Sequence, residues 1–272
     1  MKQCFNWPIS VCTWSMNNDF NRIDALMMET GINHVHLDLR PVCIDGATDY
    51  LEQVCGRGWA FSAAMIGFPQ EDYSTLETIR ATGGIVPDDC WSRNRDYFLK
   101  AIDTASKLGI VYLSAHIGFI EHGKKNEYKK LIERVALLAN AAALKQVIIL
   151  METGQETAEE LRQFLADLNH SSVGINFDPA NMILYGKGNP IEAVRILAPW
   201  IRHVHIKDAI ASQDAGQWGS EAAWGMGQVN TEAFLSALKE IGYRGAVAVE
   251  REAGQTREDD IRLAIDRLIH FR

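Results

Sequence analysis

What this chain lacks narrows it first. It has no C-x-x-C pair: its five cysteines, Cys4, Cys12, Cys43, Cys55 and Cys90, are odd in number and sit in the first third. That argues against a disulfide framework or a zinc ribbon and predicts a reducing, cytoplasmic setting. It has no G-x-G-x-x-G after its first apolar run, which continues instead as Cys12-Thr13-Trp14-Ser15-Met16, so the usual mark of a dinucleotide-binding open sheet is missing. No apolar run approaches membrane-spanning length, and Asn6, Pro8, Asn17 and Asn18 interrupt the stretch from Met1 to Phe20. Neither a membrane span nor a signal peptide is expected. Basic excess is also absent: a net charge of -8 and a pI near 5.5 do not suit nucleic acid or an anionic membrane as partner.

What is present is ample core material, 47% hydrophobic against 23% charged residues, in an alternating order. Short β-branched and apolar runs predict strands at Ile9–Trp14, Val35–Leu39, Trp59–Ile66, Val111–His116, Val147–Met151, Val173–Phe177, Ile201–Ile206 and Ala246–Val249. Amphipathic segments follow them, clearest at Asp19–Thr30, Arg93–Leu108, Asn126–Leu144, Ala158–Leu168, Glu232–Ile241 and Glu258–Phe271. Alternation of this kind means parallel βα units, and eight of them in 272 residues predict one (β/α)8 TIM barrel spanning 1–272. Two connections, Gly67–Trp91 and Ala209–Val229, are long enough to read as lids or specificity loops.

Four polar residues stand where buried strands end: Glu152 after Val147–Met151, Asp178 after Val173–Phe177, His205 within Val204–Ile206, and Glu250 after Ala246–Val249. Any one of them could be a helix cap or an ion-pair partner. The first three are separated by close to one βα unit of roughly 30 residues, which puts all four at the C-terminal rim of strands five to eight. An unpaired carboxylate at an apolar core edge costs several kcal/mol, so recurrence at one rim implies a shared partner, and three carboxylates with one imidazole make a cage for a divalent cation.

Other residues join the candidate site as substrate contacts. His116 ends strand four, Asp38 is nearest the rim on strand two, Lys207 follows His205, and Arg251 follows Glu250. Trp14, Phe119, Trp218 and Trp224 lie just past strand ends, where aromatic faces can stack on sugars. His203 shares strand parity with His205 and reads as a deeper supporting histidine, as His34 and His36 read as structural.

At Met151-Glu152-Thr153, Asn176-Phe177-Asp178-Pro179-Ala180-Asn181, His203-Val204-His205-Ile206-Lys207-Asp208, Gly225-Met226-Gly227-Gln228-Val229 and Glu250-Arg251-Glu252 the chain resembles the xylose isomerase-like TIM-barrel superfamily, in its sugar phosphate isomerase/epimerase branch. The resemblance implies Glu152, Asp178, His205 and Glu250 as ligands of one divalent metal ion, Mn²⁺, Mg²⁺, Zn²⁺ or Co²⁺. It also implies Glu152 and Glu250 as an acid/base pair that removes and returns a proton alpha to a carbonyl through an enediolate. The substrate so implied is a sugar, keto-polyol or sugar phosphate, and a homo-oligomer is the weak expectation. Dehydration of a cyclic keto-polyol is the alternative, and an endonuclease IV-like phosphodiesterase a more distant one. Two departures stand out: Asn181 occupies a position where many relatives have a histidine, and Ala209-Ile210-Ala211 lacks the arginine of free-sugar 3-epimerases. Asparagine at 181 can bind substrate but cannot transfer a proton.

Overall fold

The computed structural model describes residues 2–44, 46–214 and 216–271. Met1, Asp45, Ala215 and Arg272, which fall within the expected 1–272 domain, lie outside the described residues. Eight strands form the barrel: β1 Trp7–Cys12, β2 His34–Asp38, β3 Ala60–Met65, β4 Tyr112–Ala115, β5 Ile148–Glu152, β6 Val173–Phe177, β7 Ile201–Ile206 and β8 Val247–Val249. Every neighbouring pair is parallel, and β8 pairs with β1 while β1 pairs with β2. The sheet is therefore closed on itself, as the strand count predicts.

Strand parity separates two environments. Residues such as Val11, Leu37, Ile149, Ile175 and Val249 belong to one large apolar cluster shared with the helices. The alternate positions face the axis and are largely polar: Ser62 Oγ meets His203 Nε2 at 3.1 Å from β3 to β7, and His205 Nε2 meets His36 Nδ1 at 3.0 Å from β7 to β2. Only strands on opposite walls of a barrel can place side chains in contact this way. Two register shifts help, since Val35 pairs with Phe61 but His36 with Ala63, and Ile175 pairs with Ile201 but Asn176 with His203. Bulges of this kind add local twist and re-aim the side chains that follow them.

Helices begin and end where the capping chemistry lies. Asp19 accepts from Arg22 N at 3.2 Å ahead of Phe20–Thr30, which stops at Gly31 with φ 77°. Thr157 and Glu160 complete a reciprocal capping box before Ala158–Leu168. Three expectations need correction. The first strand ends at Cys12, and Thr13–Met16 make one turn of 3-10 helix. The Gly67–Trp91 connection contains a helix, Leu76–Thr82, and the next helix starts at Asp88, not Arg93; Thr75 caps the former with Thr78 where a glutamate would be the recognisable signal. The Ala209–Val229 connection holds an antiparallel hairpin, Asp208–Ile210 with Ser220–Ala222. Among the described residues no helix is long and apolar enough to cross a membrane.

Candidate metal centre and active-site pocket

Glu152 ends β5, Asp178 follows β6, His205 lies in β7 and Glu250 follows β8. One ligand atom from each can be chosen so that all lie within 4.8 Å of one another. His205 Nδ1 stands 3.2 Å from Glu152 Oε1, 3.5 Å from Asp178 Oδ2 and 3.2 Å from Glu250 Oε2. The group is buried, with relative exposures of 5%, 0%, 0% and 4% in chain order. Among the described residues, Glu152 Oε2, Asp178 Oδ2 and His205 Nδ1 have no hydrogen-bond partner. Buried polar atoms are seldom left so, and Asp178 Oδ2 and His205 Nδ1, meeting beside Glu152 Oε1 and Glu250 Oε2, fit a divalent cation by chemistry and placement.

The cap reading of Asp178 also holds. Its Oδ1 accepts from Asn181 N at 2.8 Å, capping the short helix Pro179–Leu184, while Oδ2 remains for the cluster. Thr153 locks the strand end from the other side, accepting from Asp178 N at 2.7 Å and donating to Asp178 O at 2.9 Å.

The electrostatics call for positive charge at the centre. Burial opposes a charged His205, yet Glu250 and Glu152 raise its imidazole well above the usual range. Burial likewise opposes ionisation of Glu250, but Lys207 and His205 hold it well below the ordinary carboxylate value. Glu152 is lowered by His116 and His205 against its burial, whereas Asp178 is raised by burial in spite of Lys207. Beneath the cluster, burial pushes His36 down to about 3 and the Cys12 thiol up to about 12. These groups are neutral support. With His205 Nδ1 turned to the carboxylates, its Nε2 faces His36 Nδ1 at 3.0 Å, an acceptor able to take the Nε2 proton and so fix the ring and tautomer of a ligand imidazole.

A cavity of about 380 Å³ opens above the cluster, lined among others by Trp14, His116, Glu152, Asn181, Lys207 and Glu250. Trp14, lifted by its 3-10 turn, donates Nε1 to Glu250 Oε1 at 2.7 Å. His116 Nε2 lies 3.8 Å from Glu152 Oε1, and Asn181 Nδ2 donates to the same oxygen at 3.1 Å. Lys207 is buried; its Nζ donates to Glu250 Oε2 at 2.9 Å and Glu252 Oε2 at 3.0 Å and lies 3.5 Å from Glu221 Oε1.

Two predicted contacts fall outside the lining. Asp38 spends its carboxylate on Arg40, through Nε and Nη2 at 2.9 Å, and on Asn18 at 3.0 Å. Arg251 pairs with Glu221 at 2.8 Å and Asp260 at 2.9 Å. Period-two parity explains the second: Glu250 and Glu252 turn inward, so Arg251 turns outward. Sequence reading missed Arg40, Tyr73, Tyr185, Glu221 and Glu252 as lining residues. Glu252 was open to the same parity argument; Glu221 reaches the site only through a hairpin hidden in a long loop. Of the rim aromatics, Trp218 lines the cavity, while Trp224 is buried against Phe234 and Phe119 packs on Tyr185.

The family model for the xylose isomerase-like TIM barrel matches residues 73–270. The chain belongs to that family. A solved xylose isomerase domain protein from Planctomyces limnophilus is 32% identical, covers 98% of each chain and superposes with a TM-score of 0.87. An inosose dehydratase of Clostridium botulinum is 26% identical over 160 residues, so the chain matches about half of it, 53% of each chain. A xylose isomerase-like barrel protein from Mycobacterium smegmatis, solved in complex with magnesium, shares the fold at 18% identity, with a TM-score of 0.73 over 100% of this chain and 98% of that one.

Proposed function

We propose that this protein is a divalent-metal-dependent isomerase or epimerase that moves a proton alpha to the carbonyl of a sugar or keto-polyol. The observation that carries this is the convergence of Glu152 Oε1, Asp178 Oδ2 and Glu250 Oε2 on His205 Nδ1 under a cavity. A divalent ion held by these four would polarise the substrate carbonyl and favour negative charge on its oxygen. Glu152 keeps Oε2 free for a proton, while Asn181 and His116 steady its other oxygen. Glu250 faces it with Oε1 on Trp14 and Oε2 on Lys207. The walls of Tyr185 and Trp218, packed edge to face at 4.8 Å, offer the aromatic surface on which a sugar's C–H face can lie.

A second reading has its own support. Both Glu250 oxygens are engaged, on Trp14 and Lys207, whereas Glu152 has one oxygen without a partner among the described residues. One free base without an equivalent opposite it suits removal of a single proton with loss of a hydroxyl as water, the chemistry named in the inosose dehydratase relative. Phosphodiester hydrolysis draws no comparable support. The other group of potential ligands among the described residues, Cys12 with His36 and His205, shares His205 and carries no carboxylate.

Incubation of the Mn²⁺-loaded protein with ketoses and cyclic keto-polyols in D₂O separates these. Deuterium entering alpha to the carbonyl supports proton transfer, and a product lighter by one water marks dehydration. No exchange and no water loss across the panel would count decisively against both.

A further inference from the structure

We infer that the substrate is an unphosphorylated, uncharged polyhydroxyl carbonyl compound, and that the cavity discriminates against phosphate esters. This rests on the proposed chemistry only for the presence of a carbonyl; the charge preference stands on the cavity itself.

The first observation is charge. Glu71, Glu152, Glu221, Glu250 and Glu252 line the cavity, and among the described residues its lining cations are Arg40 and Lys207. Both cations are already paired with carboxylates. Lys207 is enclosed by Glu250, Glu252, Glu221 and Asp178, between 2.9 and 3.7 Å away. Arg40 is gripped by Asp38 through Nε and Nη2, and its stem passes Glu71: a Cβ built on Gly67 would lie 3.5 Å from Arg40 Cδ and 3.2 Å from Glu71 Oε2. A divalent ion at the centre would still leave carboxylates in excess, and a phosphate dianion would meet net repulsion in a partly desolvated space.

The second observation is independent of charge counting. Barrels of this architecture frequently hold phosphate on backbone N–H groups of the loops after strands seven and eight. Here those donors are taken internally. Asp208, directly after β7, accepts from Gly225 N at 2.9 Å, Gly227 N at 2.9 Å and Val229 N at 3.0 Å. Glu221 accepts from Glu252 N and Ala253 N, both at 3.0 Å, after β8. A carboxylate occupies each nest, and a Cβ at Gly227 would come within 2.2 Å of Asp208 Oδ1, so the closure is tight.

What the cavity offers instead suits hydroxyls. Glu252 is half exposed at its side chain and engages Lys207 through Oε2. The Trp218 and Tyr185 rings, 4.8 Å apart, form an aromatic wall of the cavity. A carboxylate acceptor and aromatic walls recognise a neutral polyol by hydrogen bonding and stacking.

The test measures binding and chemistry separately. Calorimetry on Mn²⁺-loaded protein compares free ketohexoses and cyclic keto-polyols with their phosphate monoesters, and D₂O exchange is followed in parallel. At least one free compound is expected to bind tenfold or more tighter than its phosphate ester, and Glu252→Gln is expected to narrow that gap at least threefold. Equal or tighter binding of the esters, or no binding by any free compound, overturns the inference. The binding preference without deuterium exchange or water loss overturns the proposed chemistry alone. Exchange without the preference overturns this inference alone.

Discussion

Asp178 divides its two oxygens between a helix cap and the cluster, and substitutions can separate those tasks. Asp178→Asn keeps an acceptor for Asn181 N but removes the charge; Asp178→Ala removes both. Both should lower Mn²⁺ affinity at least tenfold by calorimetry, and only the alanine should also forfeit about 1 kcal/mol of capping stability in urea unfolding. Equal stability loss in the two variants would refute the dual role. Glu156 supplies a different residue-scale expectation. Buried and accepting from Ile120 N at 3.2 Å, its carboxyl is raised by burial from 4.5 to about 8. Since the native pKa is the higher one, this group opposes nothing below pH 4.5. Between there and pH 8 the unfolded chain ionises while the native chain does not, so stability falls with rising pH by up to about 1.4 kcal/mol per unit. Glu156→Gln keeps the acceptor and should flatten that slope in unfolding series from pH 5 to 8; parallel slopes would contradict the assignment.

Elements were legible in the sequence to the degree that their signals were local. β7 was read at its observed bounds, Ile201–Ile206, and Ala158–Leu168 likewise, because alternation in the one and the Thr157–Glu160 box in the other are written into adjacent residues. The four cluster residues were legible for a related reason: a polar residue ending an apolar strand is conspicuous, and unit spacing adds the third dimension. The hairpin carrying Glu221 was not, since Ser220–Ala222 pairs with Asp208–Ile210 across a glycine-bearing loop with no short-range hydrophobic pattern. Nor was the turn that lifts Trp14, where an apolar run continues past the true strand end. Close backbone approach was equally silent. A Cβ on Gly84, at φ 61°, would lie 2.1 Å from the Ile117 carbonyl carbon. Gly84→Ala should therefore displace the loop after β4 that bears His116, with Tm lowered by several degrees and the wild-type ligand affinity reduced; a variant matching wild type in both would show that the loops do not interlock.

At the scale of the whole molecule, the barrel brings three buried carboxylates together at one end of a polar axis, where Lys207 and His205 offset part of their charge and a divalent cation would offset the rest. The closed sheet can hold it because the cluster sits on strand ends fixed by ladder bonds on both sides, and the large outer core supplies the stabilisation. Stability should then be linked to metal. A ligand that binds only the native state adds about 2.7 kcal/mol at one hundred times its Kd. For a chain of this size that is a rise of roughly 5–10 °C in Tm. Glu152→Gln should cancel most of this rise, because Asn181 keeps its acceptor but the cluster loses a charge. The same variant should also lower the metal-free Tm modestly, since His116 and His205 favour the ionised Glu152 in the folded chain. Both effects come from one substitution, and differential scanning calorimetry with Mn²⁺ and with EDTA reads each separately. A variant less stable than wild type in EDTA and equally stabilised by Mn²⁺ would mean that Glu152 serves the fold and not the ion.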